Sequence, residues 1–218
     1  DYQPTAEDFQ HNNPSLGLAP GYYTLLHLHQ TSLLLRTVLY VVDEARVMLD
    51  TFSPFPGKKE LERAATAALK LLQTSLRMSE AFINAGRTAG ASTVLTSLAK
   101  LLLGINPRSG RPDHILNVTR FVFYGYWMPE ARLAAVNIIK HVAESPAHQP
   151  AILATLTSTP AIANMVLKTF NDALDADDDI EADVPDHTQV DDSVMTRLVI
   201  LDILQTGLAM PAPSLSHF

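Results

Sequence analysis

The feature that most limits what this chain can fold into is a helical spacing of apolar residues, renewed repeatedly between closely placed prolines and glycines. Leu26, Leu33, Val38, Val41, Val42, Ala45 and Leu49 recur at intervals of three, four or seven, which place side chains on one face of an α-helix. Ser53-Pro54-Phe55-Pro56-Gly57 then forbids continuation, because proline lacks an amide donor and its ring clashes with the preceding turn. The spacing predicts a first helix over 22–50, bent or split near Thr31, and a second over 59–84 with Leu61, Ala65, Ala68, Leu72, Leu76, Ser79 and Ile83 in its stripe, ended by Gly86. A third is predicted over 89–103 on Ala91, Leu95, Leu98 and Leu102, and a fourth over 112–124 on Ile115, Val118 and Val122.

Pro129-Glu130 opens a fifth helix over 129–144, since the proline sits where an amide would be orphaned and the acid suits the positive end. A sixth spans 150–156, and Thr159-Pro160 opens a seventh, with Ile162, Val166, Phe170 and Leu174 in its stripe. Ser193 is the predicted N-cap of an eighth helix, expected to pack through Leu198, Leu201, Ile203, Leu204 and Leu208. No segment alternates with period two between hairpin turn signals, so strand content should be near zero. The expectation is an all-α fold. Pairing one with two, three with four, five with six and seven with eight gives units of helical-repeat size. An irregular α-solenoid of HEAT or armadillo type, about four helix pairs long, explains the weak similarity between pairs better than a four-helix bundle does. Residues 1–21 read as an irregular leader or linker, rich in Pro, Asn and Gly, and residues 22–218 as the solenoid segment, carrying an acidic loop at 175–192.

Composition narrows the function. With 47% hydrophobic and 18% charged residues, the chain is too apolar for disorder and somewhat poor in charge, so some apolar surface wants a neighbour. The absence of cysteine removes disulfides, thiolate zinc sites and cysteine nucleophiles together. A net charge of -7 argues against nucleic acid as a partner. Ten acids fall between Asp172 and Asp192 without a Lys or Arg among them, while Arg36, Arg77, Arg120, Arg132 and Arg197 are scattered. The most apolar stretch, 33–49, contains Arg36, Asp43, Glu44 and Arg46, so no direct membrane insertion is expected. Lacking an initiator Met and a polar tail, the sequence is expected to be an excised piece of a longer chain.

No pattern of catalytic side chains emerges. His27 and His29 stand about 200° apart on a helix and cannot chelate one ion there. Asp175, Asp177, Asp179, Asp183 and Asp186 imitate calcium-loop spacing, but Ile180 occupies the glycine position and Asp186 the bidentate Glu position. A solvated acidic loop is therefore the reading. The glycines follow no phosphate-cradle pattern, and the sequon at Asn117-Val118-Thr119 lies inside an amphipathic helix. No catalytic, metal or cofactor residues are assigned. Phe121, Phe123, Tyr124, Tyr126 and Trp127 form the densest aromatic group. Inter-helix packing accounts for such a group, and so does recognition. Phe121, Tyr124, Tyr126 and Trp127 are the candidate partner contacts.

The run from Arg197 to Phe218, a Leu-rich helix, a bend at Pro211 and Pro213 and a leucine and aromatic lead-in, resembles a segment of the large inner-ring scaffold nucleoporins of the nuclear pore complex. Val118 to Tyr124 and Pro129 to Ile139 are similar to that family's paired helices, and the acidic insertion has a counterpart there. The resemblance covers roughly 59–218 and fits the nucleoporin 192/205 class ahead of the 188 class. It implies a central stretch of a long α-solenoid at the nuclear envelope. Such a stretch is a scaffold and not an enzyme, holding linker and adaptor nucleoporins through short linear motifs in inter-helix grooves, packed on flanking repeats and supporting nucleocytoplasmic transport. The alternative is a soluble HEAT/armadillo-type adaptor or transport receptor, against which stand the single Trp and the confinement of the acids to one loop.

Overall fold

In the computed structural model, residues 2–10, 20–30, 32–91, 94–175 and 187–217 are described. They form α1 (Glu7–Gln10), α2 (Pro20–Leu28), α3 (Leu33–Leu49), α4 (Lys58–Thr88), α5 (Leu98–Leu102), α6 (His114–Phe123), α7 (Pro129–Ala143), α8 (Gln149–Leu156), α9 (Pro160–Asp175) and α10 (His187–Leu208), with single 3-10 turns at Tyr124–Tyr126 and Leu215–His217. No strand occurs among the described residues, only an isolated bridge between Asn106 and Arg111. The fold is an all-α solenoid fragment.

Three helix pairs stack. α3 packs on α4, α6 on α7 and α9 on α10, while α3, α6 and α9 make one layer and α4, α7 and α10 the other. The expected pairing holds at both ends, one with two and seven with eight, and differs in the middle: the fourth predicted helix pairs with the fifth, and the short α5 and α8 are connectors between pairs. α7 is the spine. Ala131, Ala134, Ala135, Val136, Ile138, Ile139, Val142 and Ala143 are all buried around its circumference, as befits a helix covered by α4, α6 and α10 together. Its alanines let those neighbours approach closely.

The first predicted helix is split into α2 and α3, one of the two expected outcomes, with Ser32 capping α3 by accepting the Leu35 amide at 3.3 Å. Three boundaries differ from the sequence reading, each for a local reason. Gly86 does not stop α4 but lies buried within it, where an added Cβ would press on the Phe9 ring and Leu95. α4 stops instead at Gly90, whose φ of 65° is left-handed. The third predicted helix shrinks to Leu98–Leu102: the Thr96 amide donates to the His29 carbonyl at 2.9 Å, holding a β-branched, hydroxyl-rich stretch outside the helix. α10 starts at His187, so Ser193 is not its N-cap, and Asp191 and Asp192 belong to the helix. Most of the acidic loop, including the calcium-like spacing after Asp175, lies outside the described residues.

Part of the leader docks. Phe9 meets Tyr22 and Phe82 with ring centroids 5.2 and 5.0 Å apart, and Tyr2 donates to Asp8 at 2.8 Å. Beneath them His29 is buried, its Nδ1 donating to the Leu25 carbonyl at 2.8 Å and its Nε2 accepting from the Ser79 hydroxyl at 2.7 Å. Burial holds its pKa below the ordinary histidine value against the opposing pull of the Leu25 carbonyl.

Candidate aromatic docking site

The interface between α3 and α6 is pinned by two carboxylates that helical spacing places on one side of α3. Asp43 is buried and accepts from Asn106 Nδ2 at 2.8 Å and Asn117 Nδ2 at 2.7 Å. Asn106 also donates to Asp113 at 2.9 Å and accepts from the Arg108 amide at 3.0 Å. The loop before α6 is thereby tied to α3, and the sequon asparagine is occupied in this network. His114 lies buried beside it, 4.0 Å from Asp43; burial lowers its pKa, and the nearby Asp43 and Asp113 offset only part of that.

Seven residues on, Asp50 receives Arg120 Nε at 2.8 Å and the Tyr124 hydroxyl at 2.5 Å. Burial, then the Asp50 carboxylate, raises the Tyr124 pKa well above its usual value, so the phenol remains a donor. Gly125 lies in the 3-10 turn after α6, with the Arg132 guanidinium where a Cβ would be, and Arg132 Nε donates to the Val122 carbonyl at 3.1 Å.

These contacts fix an aromatic corner. Phe121 and Tyr124 are fully buried core residues, so these two candidate contacts are out of a partner's reach; α6 turns both toward α3 and α7. Tyr126 is 92% exposed and Trp127 36%. Two further residues complete the surface: Phe123, with Arg120 over its ring at 5.0 Å, and Phe52, 56% exposed. Phe52 meets Phe123 at 6.2 Å and Trp127 at 6.1 Å, edge to face in both cases. Its φ of 53° is a left-handed conformation that a bulky side chain rarely takes. No sequence signal marks Phe52, which falls in a proline-bounded loop outside any periodic stripe.

Beyond Trp127 a cleft of about 530 Å³ runs between α4 and the start of α7, walled by Ala67, Met128 and Pro129 and rimmed by Lys59, Arg63 and Lys70. Lys70 pairs with Glu130 at 2.6 Å. Surfaces that combine Trp, Tyr, Phe and Arg over a cleft suit protein recognition. Among the described residues, no group of three His, Asp or Glu could hold a metal ion, and no single helix is long and apolar enough to cross a membrane.

The described residues form an all-α stack of helix pairs, the architecture of a helical-repeat protein. Residues 10–218 match the family described as nuclear pore complex scaffold, nucleoporins 186/192/205, and the chain belongs to that family. It is 37% identical over 147 residues to nuclear pore complex protein Nup205 of Drosophila melanogaster, covering 66% of this chain and 7% of that protein. With nuclear pore complex protein Nup205 of Homo sapiens it shares 28% identity over 231 residues, covering 100% of this chain and 12% of that protein. The chain thus spans 12% or less of the length of these two relatives. Membership makes it a scaffold nucleoporin of the 192/205 class, at the nuclear pore complex in the nuclear envelope.

Proposed function

We propose that this segment serves the inner-ring scaffold by presenting the corner of Phe52, Phe123, Tyr126 and Trp127 to short linear motifs of linker and adaptor nucleoporins, and that it supports nucleocytoplasmic transport through that architecture rather than through catalysis. The observation that carries the reading is that corner: four aromatic side chains at the surface, on a base fixed by Asp43 and Asp50. Water leaves such faces at little conformational cost when an apolar residue of a partner covers them. The test is retention of linker nucleoporin segments by the full-length parent protein carrying Tyr126→Ala and Trp127→Ala. Binding should weaken by tenfold or more, at about 1.4 kcal/mol per tenfold. Unchanged binding of every segment would remove this corner from the reading.

The flanking repeats of the same chain form the second contact of this reading. Leu198 and Leu201 are 53% exposed and Leu208 70%, opposite the buried face of Thr196, Val199, Ile200 and Ile203. A helix apolar on both sides is the pattern of an element packed between neighbours. An adjoining helix pair of the superhelix is the partner that fits such a stripe.

A further inference from the structure

From the charge arranged along α4, we infer that the ligand of the cleft beside Trp127 is an acidic peptide with an apolar anchor. The inference rests on the docking reading above and adds the chemistry of what docks. Lys59, Arg63, Lys70 and Arg77 are exposed on α4. Their separations of four, seven and seven residues keep them within about 40° on the helix wheel, as one ridge about 27 Å long. Among the described residues, only Lys70 has a carboxylate partner there, and both members of that pair are half exposed, so it is weak and exchangeable. Lys59, Arg63 and Arg77 form no ion pair with described residues. In a chain of net charge -7, such a ridge is a local reversal of sign, and it borders the apolar wall of Ala67, Trp127, Met128 and Pro129.

Two features separate a peptide from other anions. The wall of Ala67, Trp127, Met128 and Pro129 is apolar, so it favours a side chain over a headgroup. Glu62, Glu130 and Asp192 stand on the same cleft and oppose a strand or bilayer bearing evenly repeated phosphates. A peptide escapes that repulsion by setting carboxylates at Lys59 and Arg63 and neutral residues beside Glu130. Complementary charge would also steer its approach and make binding sensitive to salt.

The experiment uses the full-length parent protein, wild type, Lys59→Glu with Arg63→Glu, and Trp127→Ala, against an array of short overlapping peptides tiled across the linker nucleoporins. Both reversed positions are exposed, and unchanged helical circular dichroism checks the fold. The expected result is that peptides lost on charge reversal are net negative and contain Phe, Leu, Ile or Trp, lose tenfold or more in affinity, bind more weakly as salt is raised, and recover with Lys59→Arg and Arg63→Lys. If Trp127→Ala abolishes binding of neutral or basic peptides that charge reversal leaves alone, the corner stands and the acidic assignment falls. If neither variant affects any peptide, both fall. Binding of single-stranded RNA or of phosphatidylserine vesicles that charge reversal removes, without an acidic peptide that behaves likewise, would also overturn the inference.

Discussion

At the scale of single residues, the structure concentrates its polar cost in a few buried groups. His29 and His114 are neutral in the fold because burial disfavours the imidazolium. Their folded pKa values lie below the unfolded value, so the unfolded chain binds protons first as pH falls and stability declines below about pH 6.5. The urea midpoint should accordingly drop between about pH 7.5 and about pH 5.5, and His29→Gln should make the drop smaller. Equal slopes in wild type and variant would show that His29 does not carry the effect. Asp43 is a separate case. Asp43→Ala takes the partner of the buried Asn117 amide and one of the two carboxylates that Asn106 donates to, and should cost about 2–3 kcal/mol, read as a lower urea midpoint, whereas the exposed Glu60→Ala should change it little.

At the scale of elements, close approach matters more than helix propensity. Gly125→Ala would drive the Arg132 guanidinium from its seat and break its bond to the Val122 carbonyl, with a loss of about 1–3 kcal/mol, measured by thermal unfolding. Helix positions were largely legible because prolines and left-handed glycines punctuate them, as Pro54, Pro129 and Gly57 illustrate, whereas Gly90, which ends α4, is passed over by the sequence reading in favour of Gly86. The faces were less so. Leu198, Leu201, Leu204 and Leu208 read as core by residue type, yet all four point away from the buried side of α10, because a helix apolar all round gives no phase to read. Thr96 left the helical pattern through a bond to His29, far away in sequence. Within the candidate site, an aromatic cluster was visible as composition, but which members face water depends on how α6 rolls against α3. That roll buries Phe121 and Tyr124 and leaves Tyr126 and Trp127 outside, beside a Phe52 that no periodicity could flag.

At the scale of the whole molecule, the exposed α10 stripe sets the behaviour of the segment alone. Leu198, Leu201 and Leu208 leave an apolar surface of the kind that associates in water. The isolated 218-residue chain should self-associate with rising concentration in sedimentation velocity, and Leu198→Glu with Leu201→Glu should shift it toward monomer without loss of helicity. Persistence of the association in that variant would assign it to another face. The same substitutions in the parent protein should weaken the junction between repeats, seen as faster proteolysis beside α10.

The central position of α7 has a mechanical consequence. It touches α4, α6 and α10 through buried alanines and branched side chains, and close-packed interiors transmit strain. A bending load carried from one end of this stack to the other must therefore pass through that rod, so a substitution that loosens α7 would be felt by all three helix pairs at once.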